Sequence, residues 1–113
     1  MKKITVIFRE NIKKDLLKFL KTIPVKGGTL SDVTGFGRQY GHKELVSGKN
    51  FEIIDLPKCR IEMLVLDSDL EHILEKLQEF LQTGRMGDGK IWVEAVERVI
   101  RIRTGETGDE AIR

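Results

Sequence analysis

The stretch TGRMGDGKIW, residues 83–92, sets Gly84, Gly87 and Gly89 around a turn that ends on Lys90. Glycines let backbone amides approach an anion closely and a lysine adds a point charge, so the chemistry on offer is the holding of a phosphate or carboxylate. Gly84, four intervening residues, Gly89 and Lys90 also match most of G-x-x-x-x-G-K-[ST], but Ile91 stands where a magnesium-binding hydroxyl belongs. Residue types alone leave two readings: an anion cradle, or a glycine-rich turn beside a solvated lysine.

Other residues could share such a site. GFGRQYGH, residues 35–42, gathers three glycines around Arg38 and Gln39, and Lys58 directly follows Pro57. RVIRIR, residues 98–103, brings Arg98, Arg101 and Arg103 together, and extended spacing would turn Arg101 and Arg103 to one side, as an anion contact or a solvated basic edge. G-F-G beside basic residues is a feature of RNA-binding sheets, but those need aromatics along the third strand, where this chain has Cys59, Ile61, Met63 and Val65. His42 and His72 read as surface residues, Met86 and Trp92 as packing residues, and Tyr40 and Ser47 as solvated hydroxyls. Cys59 is the single cysteine, which excludes an internal disulfide and a cysteine-based zinc site; it reads as a small buried apolar residue. No general base or nucleophile stands near the glycine loop, which argues against a dedicated ATPase.

The elements that must position these residues follow from periodicity. KKITVIF reads as a strand, and Ile12, Leu16, Phe19, Leu20 and Ile23 give residues 11–23 the apolar spacing of a helix ended by Pro24. Residues 29–34 supply a second strand. Residues 35–55 are polar, with four glycines and no sustained period, and read as a long functional loop closed by Pro57. CRIEMLVL alternates Cys59, Ile61, Met63 and Val65 on one face of a third strand. Ser68 with Glu71 suggests a capping box for a helix striped by Leu70, Ile73, Leu74, Leu77, Phe80 and Leu81, with Gly84 as its terminator. KIWVEAV is a fourth strand, followed by a basic segment and an acidic, glycine-containing tail. The order βαββαβ predicts an α+β, ferredoxin-like domain: an antiparallel four-stranded sheet with both helices on one face. A true phosphate loop runs from strand to helix, whereas residues 83–90 leave a helix and enter a strand, so a kinase or ATPase signature is excluded.

At 113 residues the chain is one domain of residues 1–113, able to bury roughly two thirds of its unfolded surface. Hydrophobic residues at 40% and charged residues at 34% indicate a globular protein, and a formal net charge of +2 gives no reason for bulk nucleic-acid or membrane binding. The apolar run 4–8 is too short for a signal peptide or a membrane span, so a cytoplasmic protein without membrane insertion is expected.

Taken together, GFGRQ with GH two residues on, LPK at 56–58, TGRMGDGKIWV at 83–93 and RVIRIRTGE at 98–106 resemble the PII nitrogen-regulatory signalling family, and the likeness covers nearly the whole chain. The first helix departs most from the usual family sequence. The resemblance implies a homotrimer with ATP or ADP held between subunits, a T-loop near residues 36–55 that reads effectors, a B-loop near 83–90 and a C-terminal loop near 102–113. It implies that Gly87, Asp88, Gly89 and Lys90 wrap the phosphates, with Arg101 and Arg103 reaching them from the adjoining subunit and Arg38 from the T-loop base. Gly27, Thr29, Gly37, Glu62 and Leu64 would lie near base and ribose. Gln39 would ligate a Mg²⁺ bridging ATP and 2-oxoglutarate, and Gln39, Gly41, Lys58 and Gly87 would surround that acid, Lys58 pairing with its far carboxylate. Implied partners are an ammonium transporter, a nitrogen-assimilation enzyme or a transcriptional regulator, reached without direct nucleic-acid contact. Any ATP hydrolysis would be slow and incidental. The alternative is a trimeric ferredoxin-like relative binding a metal or another small molecule, with weak or no nucleotide response.

One departure bears on regulation. Uridylylated relatives carry two T-loop tyrosines, whereas this chain reads VSGKNF with Val46 and Phe51 in their places, and Lys49 replaces a serine that some relatives phosphorylate. Phe51 has no hydroxyl to modify, so regulation by ligands alone is expected.

Overall fold

The computed structural model describes residues 1–39 and 52–113. Strand β1 (Lys2–Arg9) leads through a 3₁₀ turn into helix α1 (Lys13–Phe19), a second 3₁₀ turn, and strand β2 (Thr29–Gln39). Strand β3 (Glu52–Val65) precedes helix α2 (Leu70–Leu81), strand β4 (Lys90–Ala95) and a one-turn helix α3 (Asp109–Ile112). The sheet order is β2-β3-β1-β4, and every described pairing is antiparallel. The expected ferredoxin-like α+β architecture is present, and no helix among the described residues is long and apolar enough to cross a membrane.

Alternation divides the sheet into two faces. Ile4, Val6 and Phe8 of β1 and Cys59, Ile61, Met63 and Val65 of β3 are buried on one face, where Leu16 of α1 and Ile73, Leu77 and Leu81 of α2 close a single core. Cys59 is fully buried, as its neighbours in the sequence pattern require. The register makes Ile4 opposite Met63 and Val93, and Val6 opposite Ile61 and Ile91, so all three strands commit the same parity to the helices. The other parity, with Thr29, Lys58, Glu62, Leu64, Lys90 and Trp92, lies on the helix-free face.

Several boundaries differ from the sequence reading. The second strand continues past Thr34 to Gln39, and β3 begins at Glu52, seven residues before CRIEMLVL, so Gly35, Gly37 and Pro57 are strand residues. Pro57 lies just beyond the last β1–β3 pair, Arg9 with Lys58, where β3 has β2 on one side only; that edge position tolerates a residue with no N–H to donate. The first helix is shorter than 11–23, because its regular part stops at Phe19 and tightens into a 3₁₀ turn before Pro24. The Ser68–Glu71 capping box does not form: Asp69 is the N-cap residue, without a side-chain cap bond. Gly84 is not the terminator of α2, which ends at Leu81 with an extended Gln82 at the C-cap.

Candidate functional site

The loop between α2 and β4 is built around one carboxylate. Asp88 accepts hydrogen bonds from the Thr83 hydroxyl, from the Thr83 amide at 2.8 Å and from the Gly84 amide at 3.0 Å. Arg9, at the end of β1, donates to Asp88 at 2.7 Å and to the Thr83 hydroxyl at 3.3 Å, and its other nitrogen donates to the Met86 carbonyl. The Thr83 hydroxyl and amide, the Gly84 amide and the neighbouring guanidinium hold the Asp88 carboxyl down at about 2, so it is ionised at any physiological pH. Lys58 donates to the Gly87 carbonyl at 2.7 Å from across the sheet edge.

Glycine is obligatory at the exit of this loop. Gly89 has a φ of 98°, and a Cβ there would stand 1.7 Å from the Ile7 carbonyl oxygen, so only the absence of a side chain lets the loop pass against β1. Gly87 also has positive φ, at 96°, and its open side faces the Arg9 guanidinium. The Thr83 and Asp88 side chains and the Met86 and Gly87 carbonyls are thus spent on holding the loop to Arg9 and Lys58 of the sheet. The amides of Gly87 and Gly89 have no hydrogen-bond acceptor among the described residues.

Those glycines form one wall of a cleft of about 440 Å³ on the helix-free face, lined also by Lys58, Lys90, Gly37, Ile7, Leu56 and Trp92. Phe36 and Met86 stand at this cleft with 81% and 73% of their surface exposed. Met86 and Trp92, read from the sequence as packing residues, are respectively largely exposed and about half-exposed in the single chain. Two lysines on a partly apolar wall beside those amides are donors chemically suited to an anionic group attached to a flat or apolar body.

The remaining expected residues are distributed as follows. Thr29 pairs with Glu62 across β2 and β3, and Leu64 lies two residues further on the same face. Glu62 takes ion-pair contacts from Lys3 at 3.2 Å and Arg60 at 3.4 Å. Along a strand Lys58 and Glu62 are about 13 Å apart, so Thr29, Glu62 and Leu64 form a second group beyond the cleft. Gly27 lines a smaller hollow with Leu17, Leu20, Val25 and Leu30. Arg38 and Gln39 close β2, opposite Ile53 and Glu52. Gly41 lies outside the described residues, as do Tyr40, His42, Val46, Ser47, Lys49 and Phe51.

Arg101 and Arg103 are not in extended backbone. A turn formed by Gly105 donating to the Arg101 carbonyl, with an isolated bridge between Ile100 and Thr107, replaces the strand that their alternation suggested. Arg101 is held by Glu106 at 2.6 Å and by the carbonyls of Ala111 and Arg113, while Arg103 is exposed. Neither lines the cleft of its own chain. Arg9 is the residue that reading the sequence missed. Its signal was the alternation Lys3, Thr5, Ile7, Arg9, which continues the open face to the end of β1, opposite Lys58.

The fold and the loop define a ferredoxin-like α+β domain with a glycine-rich loop beside a cleft on its open face, and comparison with known proteins narrows that class. The family model for nitrogen regulatory protein P-II matches residues 1–106, and the chain belongs to that family. It is 45% identical over 112 residues to the nitrogen regulatory protein P-II of Pasteurella multocida, covering 99% of this chain and 100% of that one. Identity to GlnK of Escherichia coli K12 is 40% over 112 residues, with the same coverage. Among solved structures it is similar to the GlnK–ATP complex of B. subtilis, with a TM-score of 0.83, 35% identity, and coverage of 97% of this chain and 96% of that one. The family is one of nitrogen regulatory proteins involved in signal transduction.

Proposed function

We propose that this protein is a cytoplasmic PII signalling subunit that binds ATP or ADP together with 2-oxoglutarate and regulates nitrogen-metabolism partners through residues 36–55. The observation that carries the reading is the pair of Gly87 and Gly89 amides without an acceptor among the described residues, at the wall of a cleft that also holds Lys58 and Lys90. Amides in that state suit phosphate oxygens, and the likeness to a GlnK–ATP complex supports a nucleotide as the ligand. Lys58 and Lys90 supply compact positive charge, and Ile7, Leu56 and Trp92 give the apolar wall that a small-molecule site needs.

Gln39 ends β2 two residues beyond Gly37 of the cleft wall. A side-chain amide oxygen is a donor of the kind Mg²⁺ accepts, so Gln39 would help hold the metal, which would supply positive charge to the bound anions. Lys58 would exchange part of its hold on the Gly87 carbonyl for the far carboxylate of 2-oxoglutarate. Arg38 and Gly41 would complete the T-loop side.

The assembly proposed is a homotrimer, with Arg101 and Arg103 of one subunit serving the cleft of the next. Supporting it, Ile102 is 96% exposed, and Ile100, Leu64 and Trp92 leave further apolar surface uncovered on the tail and the helix-free face. The pairing of Thr29 with Glu62 about 13 Å from Lys58 likewise suits a nucleotide whose base and phosphates meet different copies. As a sensor it needs no turnover: the ligands act by differing in affinity between T-loop states, and any hydrolysis of ATP is incidental. An ammonium transporter, a nitrogen-assimilation enzyme or a transcriptional regulator would then read the T-loop.

Calorimetry on Lys58→Ala tests the assignment. The expected result is 2-oxoglutarate binding weaker by roughly 10- to 100-fold, or about 1.5–3 kcal/mol, with ATP affected less. Unchanged 2-oxoglutarate affinity would remove Lys58 from the site.

A further inference from the structure

We infer that Arg9 is a positioning residue for nucleotide binding, one that sets the Gly87 and Gly89 amides without itself touching the ligand; the inference rests on the reading of that loop as a phosphate site. Three acceptors on the loop converge on one guanidinium: the Asp88 carboxylate at 2.7 Å, the Thr83 hydroxyl at 3.3 Å and the Met86 carbonyl. Its planar fork can serve all three from a fixed place at the end of β1. A Cβ on Gly87 would lie 3.1 Å from the guanidinium, so the arginine also forms the floor under the residue at the loop's apex.

The division of labour is one-sided. Asp88 spends its oxygens on Arg9, Thr83 and Gly84, and the Met86 and Gly87 carbonyls are taken by Arg9 and Lys58. Acceptors are drawn toward the sheet, and the amides of Gly87 and Gly89 are left for a ligand. A carboxylate in a phosphate-binding loop would repel its ligand unless its charge were countered. The ion pair with Arg9, which is three-quarters buried, supplies that compensation. Binding then does not have to order the loop, and affinity gains from the ordering already done.

The test is a double-mutant cycle on the full chain, read by ATP titration calorimetry and by hydrogen exchange without ligand. Arg9→Met should weaken ATP binding by roughly 10-fold or more, the worth of one or two charge-assisted bonds. Arg9→Lys should recover only a minor part, since a point donor cannot bridge Asp88 and the Met86 carbonyl. In an Asp88→Ala background, Arg9→Met should cost little further, because its route to the ligand is already cut. Amide exchange over residues 84–89 should rise in Arg9→Met and in Arg9→Lys while the β1 and β3 amides keep their protection. Full rescue by lysine would overturn the inference, as would equal losses with and without Asp88, which mean direct ligand contact or a general field effect. Should wild type fail to bind ATP, the reading of the site falls; the exchange measurement then still decides whether Arg9 holds the loop, and unchanged exchange would refute it.

Discussion

Gly89 and Asp88 show how narrowly the loop is specified. With a Cβ position 1.7 Å from the Ile7 carbonyl and a φ of 98°, Gly89→Ala has to move β1 or the loop, and we expect a loss of about 3 kcal/mol or more in denaturant unfolding. Asp88 makes a pH prediction. Its folded value of about 2 lies below the ordinary carboxylate value of about 3.9, so its contribution is complete above pH 4 and is lost as pH falls toward 2. Acid titration of wild type should show a stability decrease across that window, and Asp88→Ala should flatten it; an identical slope in the variant would contradict the assignment. Glycine spacing singled this loop out as a candidate, and Lys58 and Lys90, which the motifs also singled out, line the same cleft as Gly87 and Gly89. Arg9 was not, because its role arises from contacts with residues 74 to 79 positions away, which depend on strand register rather than local pattern.

At the scale of elements, period-2 and helical spacing identified the core, since Cys59, Ile61, Met63 and Val65 all face α1 and α2. Ile73 and Leu77 are both fully buried at helical spacing, so Leu77→Ala should cost about 3 kcal/mol by denaturant unfolding, and a cost near zero would mean that α2 does not close the core as described. Strand ends were less legible. Gly35 and Gly37 carry no strand signal, and Pro57 reads as a loop residue, yet cross-strand pairing with β3 extends β2 to Gln39. The tail misled in the opposite direction: RVIRIR alternates like a strand, but a 2.8 Å hydrogen bond from Gly105 to the Arg101 carbonyl folds it into a turn. Local propensity gives way there to glycine's freedom at positive φ.

At the scale of the whole molecule, the exposed Ile102, Ile100, Leu64 and Trp92 are surface that a lone chain leaves wet. Sedimentation or native mass spectrometry should give three copies per particle, and Ile102→Asp should shift the distribution toward smaller species. A wild-type monomer would remove the inter-subunit site from the proposal. The central claim is a switch in which nucleotide and 2-oxoglutarate bind together, and it is tested most directly by titrating the protein with ATP and Mg²⁺, with and without 2-oxoglutarate. The account predicts saturable ATP binding that tightens in the presence of 2-oxoglutarate, and by linkage the converse. ATP affinity indifferent to the keto acid, or no ATP binding at all, would contradict it.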